Sequence, residues 1–528
     1  MEKLLLLGDE AFAQGALDAG LSGAYGYPGT PSTEIMEYIQ KDKIAAEKKI
    51  HSQWSANEKT AFEAALGMSY AGKRTIMTTK HVGLNVAADG FINSALTGVN
   101  GGLLVVACDD PSMHSSQGEQ DSRFYAKFAL LPALEPSNQQ EAYNMALYGF
   151  ELSEKLALPI MIRFVTRLSH SRAGIYRNTP QEENKLQLPK DTNRFILLPI
   201  IARQRYQILL EKQETLLEAS ENSPFNTYTE GQNHSLGIIA CGIATNYLME
   251  NYPDGCPYPF LKISQYPLPK KQILRLIDEC DAILVLEDGQ PVVEEMLKGY
   301  LEPQKPIHGR LDGFLPRAGE LNPNHVAKAL GMKETWGPAS PSLVVGRPPC
   351  LCLGCSHRDI YNALGAIIKN VGKGHVFSDI GCYTLGALPP FQAINTCVEM
   401  GASITMAKGA ADAGLYPSIA VIGDSTFTHS GITGLLDCVN ENSNVVIIIS
   451  DNETTAMTGG QDSAAHHRVE AICQGVGVDP THIRIINPLM KNHEAFVSLL
   501  REEIAYTGVS VIIPRRECIQ TLKRRNKK

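Results

Sequence analysis

The sequence predicts an α/β protein in which two doubly wound parallel-sheet domains flank a smaller α/β domain. Short apolar runs such as GGLLVVACDD and NVVIIIS alternate with helix-length segments through most of the chain. Those runs are close to continuously apolar, as strands covered on both faces are. With 528 residues, 44% of them hydrophobic, the chain is long enough for two to four such cores.

The elements follow in order. Residues 1–172 read as an amphipathic helix EAFAQGALDAG, a turn YPGTPST, a helix NEKTAFEAALGMSYAG, a strand RTIMTTK, a helix NVAADGFINSAL and the strand GGLLVVACDD. The polar stretch DPSMHSSQGEQDSR leaves that last strand at Asp109 and Asp110, and so long a loop beyond a strand's carboxyl end predicts a site wall. Residues 173–233 form a linker region, turn-rich on both sides of a charged helix, RQRYQILLEKQETLLEAS. Residues 234–340 hold the smaller domain, with strands YPFLKIS and DAILVLED and helices KKQILRLIDEC and PVVEEMLKGYL, followed by a bridge. Residues 341–528 form the third domain, closing on VSVIIPRREC.

Charge and composition exclude several classes. A net charge of -8 and a pI near 6.0 argue against a general nucleic-acid binder, and the terminal LKRRNKK reads as a solvated tail. The opening MEKLLLLGDEAF has four leucines before Asp9, too few for a signal segment, and no apolar run reaches membrane-spanning length. The expectation is a soluble, cytoplasmic protein without a membrane. Twelve cysteines in so long a chain are no disulfide scaffold, so close pairs read as metal or redox ligands.

The densest chemistry lies in GDSTFTHSGITGLLDCVNENSNVVIIISDNETTAMTGGQ, Gly423 to Gln461. Asp424 and Asn452 fall at the carboxyl ends of two successive strands, where open α/β sheets bind ligands. A carboxylate, an amide oxygen and a loop carbonyl make a partial shell that diphosphate and water complete around Mg²⁺. The helix between the strands offers its N-terminus to the diphosphate. The pattern resembles the thiamine diphosphate motif, GDG then a spaced Asn; the spacing from Gly423 fits, and Ser425 replaces the final Gly.

Other residues carry two readings each. Glu58 opens a helix, where a carboxylate is stabilised by position alone; with thiamine bound it is the expected partner of the pyrimidine N1′. In the GTPST turn, Ser32 or Thr33 caps a helix, or Thr30 donates to a substrate carboxylate. Cys352 and Cys355 form a CxxC in PPCLCLGCSHR, Cys382 ends SDIGC and Cys518 ends IIPRREC. Zinc would need a second close pair, with His357 a crowded alternative, and four thiolates at strand ends suit a [4Fe-4S] cluster better. Cys350, Cys397 and Cys438 read as structural.

Taken together, GYPGTPSTE, WSANEKTAFEAALG, DDPSMHSSQGEQDSRFYAKFA, RPPCLCLGCSHR, SDIGCYTLGALPP, GASITMAKG, GDSTFTHSGI and DNETTAMTGGQ resemble the alpha subunit of the indolepyruvate ferredoxin oxidoreductases. The resemblance runs from near the first residue to Cys518. It implies that both larger domains are of the thiamine-diphosphate-binding type and that the smaller one is similar to a transketolase C-terminal domain. It also implies oxidative decarboxylation of aryl-2-oxoacids to acyl-coenzyme A, with coenzyme A as co-substrate and ferredoxin as acceptor. By position, Asp424, Asn452 and the backbone of Thr454 would hold Mg²⁺ and diphosphate, with Gly423 and Ser425 beside them. Glu58 would activate the aminopyrimidine, Thr30 and Arg123 would face the substrate, and Cys352, Cys355, Cys382 and Cys518 would ligate the cluster. The partners implied are a smaller beta subunit and ferredoxin, in a dimer of alpha–beta pairs. The family's subunit usually continues into a ferredoxin-like domain, whereas this sequence stops ten residues after Cys518, so the terminal relay is expected to be missing or supplied by another protein. Two alternatives remain: a non-oxidative thiamine-dependent 2-oxoacid decarboxylase, which the four cysteines oppose, and a non-catalytic thiamine-binding or assembly subunit, which Glu58, Asp424 and Asn452 oppose.

Overall fold

The computed structural model of the chain describes residues 3–526 apart from 190, 192, 300–304 and 348. They form two compact units, Met1–Ala339 and Ser340–Lys528. The first is built on a seven-stranded sheet in the order Gln265–Tyr266, Ala133–Leu134, Ile160–Val165, Leu103–Asp109, Thr75–Lys80, Gly23–Gly26, His51–Trp54. All neighbours are parallel except the two-residue edge Gln265–Tyr266. From Gly23–Gly26 the chain steps outward to His51–Trp54 and then back across to Thr75–Lys80. That reversal opens a crevice at the strands' carboxyl ends, where the turn at Thr30 and the residue Lys80 fall.

The second sheet of this unit runs Ile307–His308, Ile283–Leu286, Gly237–Cys241, Phe260–Ile263, Thr227–Thr229. Alternation along its strands explains why it does not stand apart. Ile238, Ala240, Leu284 and Leu286 pack into the large core of the first sheet. Ile239, Cys241, Ile283 and Val285 face the other way, under Ile273 and Leu276 of the helix Lys270–Glu279. Two residues beyond Phe260–Ile263, the chain supplies the antiparallel edge of the large sheet.

One sequence expectation fails locally. The first helix, Gly8–Asp18, is not amphipathic in place: ten of its eleven residues are buried. It is rich in Ala and Gly, so the helix Gln139–Leu156 approaches until a Cβ on Gly15 would sit 2.3 Å from the Tyr143 carbonyl oxygen. Small residues make both faces core.

The second unit carries five parallel strands in the order Val376–Ser378, Ile419–Gly423, Val445–Ser450, Val509–Pro514, Ile483–Ile486. Val421, Ile448 and Ile512 face one apolar layer, and Ile422, Ile449 and Ile513 face the other. Both faces are covered, as a doubly wound sheet requires. Among the described residues no helix is long and apolar enough to cross a membrane.

Candidate functional site

In the second unit Gly423 pairs with Ser450 across adjacent parallel strands, so Asp424 and Asn452 leave the sheet side by side. The helix starts earlier than the sequence suggests, at Asp424 itself, and passes through a π-turn at Phe427–Gly431 before Ile432–Asn440. Such turns concentrate at functional positions. Asp424 is 2% exposed, and its Oδ2 has no hydrogen-bond partner among the described residues. Burial, reinforced by the neighbouring Asp451, pushes its carboxyl up to about 7. A buried carboxylate with a vacant oxygen is the local chemistry that a divalent cation relieves.

Asn452 is oriented on both sides. Its Oδ1 accepts the Thr454 N–H at 3.2 Å, and its Nδ2 lies 3.5 Å from His357 Nε2, whose Nδ1 contacts Ser450 Oγ at 2.8 Å. Burial, with Arg516 nearby, lowers the His357 pKa to about 4. The ring is therefore neutral, with one nitrogen free to accept from the amide. His357 thus belongs to the support of Asn452, not to a zinc site. Ser425 Oγ meets Thr455 Oγ1 at 2.9 Å, and the Tyr383 ring lies where a Cβ on Gly423 would sit 2.7 Å from it. These residues fit Mg²⁺ and a diphosphate.

The four cysteines converge in the same unit. None is in a disulfide, and all four are partly buried. Burial and then the Cys355, Cys518 and Cys352 thiols push Cys382 up to about 12, and burial with Cys352 and Cys518 pushes Cys355 up. Burial and mutual opposition keep these thiols protonated on their own, and four of them gathered together have the chemistry of a metal-cluster ligand set. The CxxC turn closes by Cys355 N–H to the Cys352 carbonyl at 3.1 Å. Arg516 ties it to the last strand, donating to the Gly354 carbonyl at 2.9 Å and pairing with Asp359 at 2.8 Å. The Cys518 N–H donates to the Asn452 carbonyl at 3.1 Å, so the segment carrying Cys518 is hydrogen-bonded to the loop carrying Asn452.

In the first unit Glu58 begins the helix Glu58–Tyr70, whose N-cap Asn57 accepts from Thr60 N–H. Its carboxylate packs so close to the helix His81–Thr97 that a Cβ on Gly83 would meet Oε1 at 2.3 Å. Asp110 organises the polar loop through Ser115 N–H at 2.8 Å, Thr166 Oγ1 at 2.8 Å and Ser116 Oγ at 2.5 Å. The sequence reading missed Lys80. At the end of its strand it is 8% exposed, bonds Ser115 through Nζ at 2.6 Å, and is lowered by burial to about 8. Ser115 Oγ in turn reaches the Thr30 carbonyl at 3.4 Å. A Lys closing a strand beside a Gly-Thr-Pro turn was the available signal.

Arg123 is fully engaged within the first unit. All five of its N–H positions are committed: Asp121 twice, at 2.9 and 2.6 Å, Glu287 at 2.9 Å, Tyr266 at 3.3 Å and the Gln290 carbonyl at 2.9 Å. A buried guanidinium so saturated has no donor left for a substrate carboxylate. With Arg163, which bonds Asp109 at 2.6 Å and also pairs with Glu135, it forms an ion network between the two sheets of this unit.

Fold and site together are those of the thiamine diphosphate-dependent 2-oxoacid oxidoreductases. Residues 14–221 match the family described as pyruvate flavodoxin/ferredoxin oxidoreductase, thiamine diP-bdg, and residues 379–512 match thiamine pyrophosphate enzyme, C-terminal TPP binding domain. The indolepyruvate oxidoreductase subunit IorA of Archaeoglobus fulgidus is 38% identical over 549 residues, 98% of this chain and 86% of that one. The Thermococcus kodakarensis IorA is 36% identical over the same shares. The chain belongs to the indolepyruvate oxidoreductase subunit IorA family. In fold it is similar to a 2-oxoglutarate:ferredoxin oxidoreductase from Magnetococcus marinus, solved with 2-oxoglutarate, coenzyme A and succinyl-CoA bound. The TM-score is 0.51 at 17% identity, over 62% of this chain and 65% of that one.

Proposed function

We propose that this chain is the catalytic, thiamine-binding subunit of an oxidoreductase that converts aryl-2-oxoacids of the indolepyruvate and phenylpyruvate type, with coenzyme A, to acyl-CoA and CO₂. Electrons pass to ferredoxin. A smaller beta subunit completes the enzyme, in a dimer of alpha–beta pairs. The observation that carries the reading is the partnerless Asp424 Oδ2 beside Asn452, on a loop hydrogen-bonded to Cys518.

Thiamine diphosphate, when bound, supplies the carbon that adds to the keto carbon and holds the electron pair left as CO₂ departs. Asp424, Asn452 and the backbone of Thr454 hold Mg²⁺ and through it the diphosphate, beside Gly423 and Ser425. Glu58 holds a proton at N1′ of the pyrimidine. Thr30 and its turn orient the substrate carboxylate. Cys352, Cys355, Cys382 and Cys518 hold a [4Fe-4S] cluster, the one-electron carrier that two-electron oxidation toward ferredoxin requires.

The test is anaerobic purification with the beta subunit, iron and sulfide analysis, and an assay following a low-potential acceptor with indolepyruvate, phenylpyruvate and pyruvate. The expected result is an iron–sulfur protein that reduces the acceptor only with coenzyme A present and prefers the aryl substrates. A cluster-free protein releasing aldehyde without an acceptor would leave the decarboxylase instead.

A further inference from the structure

Beyond Asn452 the chain makes a short hairpin, Thr454–Thr455 against Gln461–Asp462, and returns to its own start. Ser463 N–H closes that return on the Glu453 carbonyl at 3.4 Å. Glu453 at the entry and His466 and His467 at the exit bring one carboxylate oxygen and two imidazole nitrogens within 4.8 Å of one another. The two rings lie 3.9 Å apart, tilted by 49°, and His467 Nδ1 is 4.0 Å from Glu453 Oε1. Glu453 and His467 both hold left-handed backbone, φ 64° and 55°, which turns their side chains toward the same point.

We infer that Glu453, His466 and His467 form a divalent transition-metal site that clasps the hairpin at its base. Two imidazoles and a carboxylate are borderline ligands that suit Zn²⁺ and disfavour Mg²⁺ or Ca²⁺, whose preference is for oxygen. Three protein ligands leave the remaining positions to water, in keeping with the exposure of both histidines. Ligation would join residue 453 to residues 466 and 467, fixing the loop whose first turn contains Asn452 and Thr454. The site is chemically separate from the thiols, and it stands whether or not the chain uses thiamine.

The experiment is zinc titration of the full iron-loaded chain, read by X-ray absorption at zinc and by tryptic cleavage after the exposed Arg468. The expected result is one equivalent of Zn²⁺ with a nitrogen and oxygen shell at about 2.0 Å, and slower cleavage after Arg468. That equivalent and the protection should vanish together in the double variant His466→Asn, His467→Asn. Glu453→Gln should weaken binding by at least the 10–100-fold that loss of a mere outer partner costs. A zinc shell of sulfur alone, near about 2.3 Å, or stoichiometry and cleavage unchanged in the double variant, overturns the inference. Circular dichroism equal to wild type separates loss of the site from loss of the fold.

Discussion

Arg123 shows how a residue's role is fixed by what surrounds it. Tyr266, Glu287 and Gln290, far away in sequence, use the N–H groups that would otherwise be free for substrate. Arg123→Ala should cost about 3–5 kcal/mol, because Glu287 loses its ion partner in the buried network and Asp121 keeps only Arg163. Chemical denaturation would measure that loss, while KM for the 2-oxoacid in the surviving enzyme should stay within about twofold of wild type, where removal of a substrate-binding group would raise it by tenfold or more. Lys80 gives a pH signature. Burial disfavours its protonated form, so its folded pKa is depressed from 10.5 to about 8. The stability it contributes is therefore fully present above the unfolded pKa and lost as pH falls through about 8. The first unit should gain up to about 3 kcal/mol between pH 8 and 10.5. Lys80→Met should flatten that rise when denaturation is followed at both ends of the window.

At the scale of elements, the contact between the helices Glu58–Tyr70 and His81–Thr97 depends on Gly83. A methyl there meets Glu58 Oε1 and, at 2.2 Å, Thr79 Oγ1. Gly83→Ala should therefore displace the Glu58 carboxylate and lower kcat by about 10²–10⁴-fold, the size of a lost general acid–base contribution. Its stability cost should be only about 1–3 kcal/mol, read from thermal melts; full activity would remove Glu58 from the chemistry. The strand ends carrying Asp424 and Asn452 were legible in the sequence because strand, helix and strand are local patterns with strong apolar periodicity. The support of Asn452 was not: His357 comes from a helix nearly a hundred residues earlier, and nothing in the sequence of that helix points toward Ser450. Nor was the burial of Gly8–Asp18, because periodicity reports one apolar face and is silent about a second neighbour that small residues admit. The Glu453, His466 and His467 convergence was hidden for a third reason, since it arises from left-handed backbone at residues whose type does not demand it.

At the scale of the whole molecule the two units have separate cores, so each carries its own response to ligands. Mg²⁺ with thiamine diphosphate at one hundred times its Kd should stabilise the second unit by about 2.7 kcal/mol. Calorimetry of the full chain would show the shift, and Asp424→Asn should abolish it; an undiminished shift in that variant would exclude Asp424 as the metal ligand. The hydrogen bond from Cys518 to the Asn452 carbonyl reaches further than either site. Whatever fixes Cys518 also restricts Asn452, and the free energy of that restriction is shared between the two events in whichever order they occur. On the proposed function, cluster and diphosphate binding are accordingly expected to favour each other by the same factor, so iron removal should weaken the affinity for the diphosphate, and the diphosphate should tighten the hold on iron by an equal amount.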